Sequence, residues 1–387
     1  MGNSRFIVLF LLTVLVNIVL TLDHSTKHPT IEHKPAIKQS LVLSGKSEFL
    51  SSSIQIGPDS YPVIIDSTVN YLFVAGKKCE SCTLYPPYYK ESPVAETIQC
   101  DSPTCHSNGN ICERISKIDP PSCGLATNLS NGATIRASLY KDFISIDDNK
   151  NIPVIIASIY KQEGGPNFNQ AILGVGPSCP LCPTTPLQTL LKVLKKPYIF
   201  GVSLDKAYFG GISIGMVDPL LYTGGINYTA MSSDDNLYSI TPKRVGSYWN
   251  GQILKITTEI NRFVVKTSSS ISYFPTAAYN LLKGFLINGC KDDIDFCPKI
   301  NDLFSTCLNA TDIEIDRFPS LQISFEGFSL VIPPKIYFHA ISKDNQVYSC
   351  LGIQESPDQD AVFGVNLMRE LYTVFDNENQ RIGFGRK

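Results

Sequence analysis

The sequence predicts an all-β chain built as two related lobes, and three observations predict it. From Ser47 onward, short apolar and β-branched runs are cut by Gly, Pro, Asn and Asp, as in Ser53-Ile54-Gln55-Ile56-Gly57, Ile152 to Tyr160 and Leu330-Val331-Ile332-Pro333. Helical windows are few and short: Leu187 to Leu194, opened by Pro186, and Ala277 to Leu286. One stretch is also written twice. Ile64-Ile65-Asp66-Ser67-Thr68-Val69-Asn70-Tyr71-Leu72-Phe73-Val74 is echoed by Val264-Val265-Lys266-Thr267-Ser268-Ser269-Ser270-Ile271-Ser272-Tyr273-Phe274. Each copy runs from an apolar pair through a charged residue, a hydroxyl residue and a small polar run into an apolar strand. A second echo comes after each in the same order, Ala171-Ile172-Leu173-Gly174-Val175-Gly176 and Ala361-Val362-Phe363-Gly364-Val365-Asn366.

Taken in chain order, Arg5 precedes the apolar stretch Phe6 to Leu22, which reads as a signal peptide over residues 1–22. The stretch also approaches the length of a membrane span, so a retained signal anchor is the alternative. No other segment is long and apolar enough to cross a bilayer, and the end of the chain lacks the hydrophobic tail of a lipid-anchor signal. Residues 23–46 are polar and rich in His and Lys, a solvated leader or a short propeptide-like arm. An N-terminal lobe with a cysteine-rich insert is expected over 47–210 and a C-terminal lobe over 211–387.

With 387 residues, 43% of them hydrophobic and 18% charged, the chain can bury two cores and is not a disordered composition. A formal net charge of −2 points to neither nucleic acid nor an anionic membrane as partner. Twelve cysteines behind a secretory start argue for disulfides, with the pairing left open by the count. Sequons at Asn128, Asn227 and Asn309 agree with that route.

The doubled Asp66-Ser67-Thr68 and Lys266-Thr267-Ser268 turns resemble the pepsin-like aspartic proteases, in which each lobe supplies one catalytic aspartate from such a turn. The resemblance covers roughly residues 47 to 387. Tyr208-Phe209-Gly210-Gly211 with Val217-Asp218-Pro219 resembles the passage between lobes, and Ser247-Tyr248-Trp249 the strand after it. Leu371-Tyr372-Thr373-Val374-Phe375-Asp376 through Arg381-Ile382-Gly383-Phe384 is similar to the last hairpin of that family. The insert carrying Cys79, Cys82, Cys100, Cys105, Cys112 and Cys123 resembles the nepenthesin-like branch. The resemblance implies a bilobal acid-protease fold, two six-stranded-barrel-type lobes with a central cleft. It also implies a Cys307–Cys350 disulfide, a local loop closed by Cys290 and Cys297, and Ser67 and Thr267 hydroxyls that cross-link the two turns. The flap is expected at Leu129-Ser130-Asn131-Gly132-Ala133, where the usual tyrosine is absent and Gly132 is kept. A glycan on Asn128 would stand over the cleft mouth.

The chemistry implied is altered at the second turn. An aspartic protease holds two carboxyls that share one proton and a water, one acting as base and the other as acid. Here Asp66 is the remaining aspartate and Lys266 stands at the position of the second. Protonated lysine has no acceptor, and it is expected to hold Asp66 in a salt bridge. Thr68 and Ser268 replace the glycines of the turns, and Val69 replaces a hydroxyl that would donate to the first aspartate.

Rival motifs are weaker. Gly211-Ile212-Ser213-Ile214-Gly215 matches a nucleophile elbow, with His339 as its one late histidine, but Met216-Val217-Asp218-Pro219 after it is a poor helix opening. The pairs Cys79/Cys82 and Cys179/Cys182 suit zinc or redox chemistry in principle, and disulfides better in a secretory chain. No cofactor and no metal are expected. The reading is a monomeric, inactive homologue, secreted or delivered to the endolysosomal lumen, that binds a protein or polysaccharide; an active acid endopeptidase is the alternative.

Overall fold

Both helices expected from the pattern form, and the first shows why local sequence suffices. In the computed structural model Pro186–Val193 begins at Thr185, whose hydroxyl accepts from the Gln188 N–H at 3.0 Å, with proline in the first turn. Leu187, Leu190 and Leu191 then fall on one face and are buried, worth about 2 kcal/mol each in burial. In Thr276–Gly289 the buried positions Ala278, Leu282 and Leu286 recur every four residues. The structure describes residues 37–43, 50–82, 87–106, 110–113, 121–129, 132–146, 149–164, 170–180, 182–232, 236–249, 252–257, 260–289, 304, 307–308, 315–343, 346–356 and 358–387. The signal segment, most of the leader, Cys290, Cys297 and Asn309 lie outside these.

Strands dominate the rest, and the two halves of the chain repeat one topology. In the first half, Asp59–Asp66 lies parallel to Ala171–Gly174, which is antiparallel to Leu72–Glu80, which is parallel to Asn149–Glu163. In the second, Phe263–Val265 lies parallel to Ala361–Phe363, antiparallel to Ser272–Pro275, itself parallel to Ile353–Ser356. Each small strand threads between the two arms of a turn that begins with Asp66 or Lys266. That closeness accounts for the glycine in both echoes. A Cβ on Gly174 would sit 2.5 Å from the Val69 carbonyl oxygen, and one on Gly364 would overlap the carbonyl of Ile271.

The halves share a sheet whose consecutive strands are Thr223–Ala230, Arg381–Arg386, Leu371–Asp376, Ile199–Leu204, Phe209–Ile214 and Ile37–Leu43. Phe209–Ile214, where the sequence suggested a passage between lobes, is thus a strand of this shared layer. Ile37–Leu43, read from the sequence as part of a polar leader, also belongs to it, paired with Phe209–Ile214 and with Leu50–Ile56. Backbone pairing on two sides holds a strand whatever the polarity of Lys38 and Gln39. Phe200 stacks on Phe375 at 4.5 Å in this layer, and Phe363 of the second half reaches Phe384 at 5.6 Å.

The cysteine-rich insert is tied down by Cys79–Cys82, Cys100–Cys112 and Cys105–Cys123; elsewhere Cys179 bonds Cys182 and Cys307 bonds Cys350. A buried carboxylate adds to this clamp. Asp142 accepts from the Tyr89 hydroxyl at 2.8 Å, the Ser92 hydroxyl at 2.5 Å, the Ser92 N–H at 3.2 Å and the Phe143 N–H at 2.8 Å. Burial alone would raise its pKa, but the hydrogen bonds from Ser92, Phe143 and Tyr89 outweigh that and hold it below the ordinary range. A depressed carboxylate stabilises the fold at pH values above its unfolded pKa, and that contribution is lost as pH falls through the folded value. Asp142→Asn is therefore expected to lower stability by about 1–3 kcal/mol at neutral pH. The gap to wild type should narrow below about pH 4, as read from thermal unfolding across pH.

Candidate active site

The buried strand Asp59–Asp66 delivers Asp66 to its end with the side chain enclosed, the residue 3% exposed. Its carbonyl accepts from the Val175 N–H at 2.9 Å, so the threading strand fixes its backbone. Its Oδ1 accepts from the Thr68 N–H at 2.8 Å and the Thr68 hydroxyl at 2.6 Å. The donor that Val69 cannot supply is therefore present one residue earlier. Lys266 follows the fully buried Phe263–Val265, and its N–H donates to the Phe363 carbonyl at 3.0 Å. In the matched registers, Lys266 is the counterpart of Asp66.

Between the two turns runs a reciprocal cross-link. The Ser67 hydroxyl accepts from the Thr267 N–H at 3.1 Å and donates to the Val265 carbonyl at 2.9 Å. The Thr267 hydroxyl accepts from the Ser67 N–H at 3.0 Å and donates to the Ile65 carbonyl at 2.7 Å. Both side chains are buried, so each bond replaces water that cannot enter. The salt bridge expected between Asp66 and Lys266 does not form: among the described residues the Lys266 ammonium has no carboxylate within 4.0 Å. Thr68 already occupies one oxygen of that carboxylate, and the cross-link fixes both backbones independently of the charges.

Two phenols that sequence reasoning did not single out brace the floor from behind. Tyr238 donates to the Val175 carbonyl at 3.0 Å, and its own carbonyl accepts from the Val265 N–H at 2.8 Å, so one residue touches both turns' supports. Tyr198 donates to the Gly176 carbonyl at 2.7 Å. Burial pushes the Tyr198 phenol up to about 12 and that of Tyr238 well above its ordinary value, which keeps both as donors. Each sits one residue before a strand, Ile199–Leu204 or Ser239–Ile240, where no sequence pattern reveals its partner.

Leu129 and Gly132 sit at the turn of the hairpin formed by Ser122–Asn128 and Thr134–Ile146. The turn closes through Leu129 N–H to the Ala133 carbonyl and Gly132 N–H to the Leu129 carbonyl, with Gly132 at φ +83°. Leu129 is buried in an apolar cluster with Ile64, Tyr71, Phe73 and Ile135, while Ser130 and Asn131 of the expected flap lie outside the described residues. Asn128 is exposed beside it and accepts from the Thr134 hydroxyl at 2.8 Å; Asn227 is exposed on the edge strand of the shared sheet. Ser213 of the rival elbow lies in mid-strand with its hydroxyl 2.5 Å from that of Tyr372, and His339 lies opposite Cys350 in another hairpin. No group of His, Cys, Asp and Glu among the described residues is arranged to hold a metal.

A repeated β topology, shared by two halves whose turns are cross-linked by a serine and a threonine, defines the bilobal pepsin-like class of aspartic protease folds. A model of that group, described as eukaryotic aspartyl protease, matches residues 51–387. The chain belongs to the eukaryotic aspartyl protease family. It is 27% identical to the aspartic-type endopeptidase ctsD of Aspergillus fumigatus over 53% of this chain and 40% of that protein. It is 23% identical to penicillopepsin-2 of Penicillium janthinellum, over 67% of this chain and 64% of the relative. With renin-2 of Mus musculus the identity is 22% over 84% of this chain and 76% of the relative. The chain thus spans less than two thirds of the length of the first two.

Proposed function

We propose that this chain is a non-proteolytic member of its family that binds a polypeptide in the cleft between its lobes. One observation carries the reading: Lys266 stands where register and topology call for the partner of Asp66. Acid proteolysis needs a second carboxyl to hold the shared proton and to protonate the leaving amine. A lysine ammonium has no lone pair with which to accept the shared proton, so it cannot cycle between base and acid as the second carboxyl does. The intact Ser67–Thr267 cross-link supports a maintained cleft rather than a decayed one. A polypeptide is favoured over a polysaccharide because the relatives are named as proteases or endopeptidases. Secretion or delivery to an endolysosomal lumen is supported by the disulfides and by relatives such as secreted aspartic protease 4 of Candida albicans.

A second reading, an acid endopeptidase with altered machinery, is favoured by one observation: Thr68 restores the hydrogen bond to Asp66. The test is hydrolysis of a mixed peptide library by purified protein from about pH 3 to about pH 7, with pepstatin and Asp66→Ala as controls. The expected result is no turnover above the Asp66→Ala background. Turnover abolished by both controls would establish the second reading instead.

A further inference from the structure

We infer that the polypeptide taken by this cleft presents a carboxylate side chain to Lys266; the inference rests on the cleft being a polypeptide site. Lys266 is only partly exposed, and its backbone is pinned by the bond to Phe363 and by the cross-link one residue on. Its obvious counter-ion, Asp66, is engaged by Thr68. Three hydroxyls of the two turns are committed to carbonyls: Ser67 to Val265, Thr267 to Ile65, and Ser269 to Ile271 at 2.7 Å. Among the described residues Lys266, in the turn cross-linked to that of Asp66 at the junction of the lobes, has no ion-pair partner. A cation partly withdrawn from water gains most from an anion that arrives with the ligand and excludes the remaining solvent. A neutral side chain at the same place would strip water from the ammonium and return less. The overall charge of −2 gives no general attraction for acidic ligands, so the preference is local to this residue.

The experiment measures binding of the purified full chain to a panel of short extended peptides. Each carries Glu at one position or the isosteric Gln, and fluorescence polarisation reads the affinity. The Glu peptide of one register is expected to bind about tenfold more tightly than its Gln partner. Lys266→Met should abolish that preference, and Lys266→Arg, which keeps the charge, should retain it. Equal affinity for Glu and Gln peptides in the wild type, or a preference that survives Lys266→Met, overturns the inference and leaves peptide binding standing. Absence of any peptide binding removes the cleft reading and the inference with it. A de-esterified oligogalacturonate that binds in a Lys266-dependent way while the peptides do not overturns the assignment to polypeptide.

Discussion

Arg369→Met is expected to lower the stability of the second lobe and the shared sheet by about 3–5 kcal/mol, one of the two largest single-residue effects. The guanidinium is buried and, among the described residues, has no carboxylate partner in its hydrogen bonds. It donates instead to the carbonyls of Lys335 at 2.7 Å, Phe338 at 2.6 Å and Ile336. Longer contacts reach the Asn366 and Lys206 carbonyls, and its plane lies 4.7 Å from the Tyr208 ring centroid. Methionine replaces the stem but no donor, leaving several buried carbonyls without a partner. Lysine recovers part of the loss, since a single ammonium cannot span the same fork of acceptors. An exposed pair such as Lys243–Glu326, at 62% and 86% side-chain exposure, should contribute only about 0–1 kcal/mol by the same measurement. Denaturant midpoints for Arg369→Met, Arg369→Lys and Lys243→Ala provide the check; a midpoint for Arg369→Met close to that of Lys243→Ala would contradict the account.

Thr267→Val is expected to cost about 2–4 kcal/mol although it preserves the shape of the side chain. The change leaves the Ser67 N–H and the Ile65 carbonyl buried without their partner. Ser67→Ala should cost a similar amount for the mirror-image reason, through the Thr267 N–H and the Val265 carbonyl. Because the four bonds close one ring, the double variant should cost less than the two single losses together, with a coupling of about 1–3 kcal/mol. Strict additivity would mean that each turn is held by its own lobe and that the cross-link does not couple them.

Much of the fold was legible because its signals are local. Pro186 with its leucine face, and the four-residue recurrence of Ala278, Leu282 and Leu286, are short-range patterns that any helix must satisfy. Gly174 and Gly364 were legible as an echo, though the reason for glycine, the approach of the Val69 and Ile271 carbonyls, is a contact across the turn. The strand at Ile37–Leu43 was not read from the sequence because most of its pairing is with Phe209–Ile214, far along the chain. At the site, Asp66, Ser67, Lys266 and Thr267 could be named from the repeat alone. The hydroxyl of Thr68 taking the place of one at Val69 could not, since residue order does not say which side chain turns back onto the carboxylate.

The sequence by itself determined that this is a duplicated β protein of the aspartyl protease family and that its two turns carry unlike charges. Only the tertiary structure decided how those charges are used. One oxygen of Asp66 is engaged by its own turn, the two turns are joined by hydroxyls, and Lys266 is left without a counter-ion among the described residues. The reason is physical: residue identity sets which groups are charged, whereas pairing depends on distances of a few ångströms between segments about two hundred residues apart. Those distances are set by strand register and by the threading of Ala171–Gly174 and Ala361–Phe363 behind the turns.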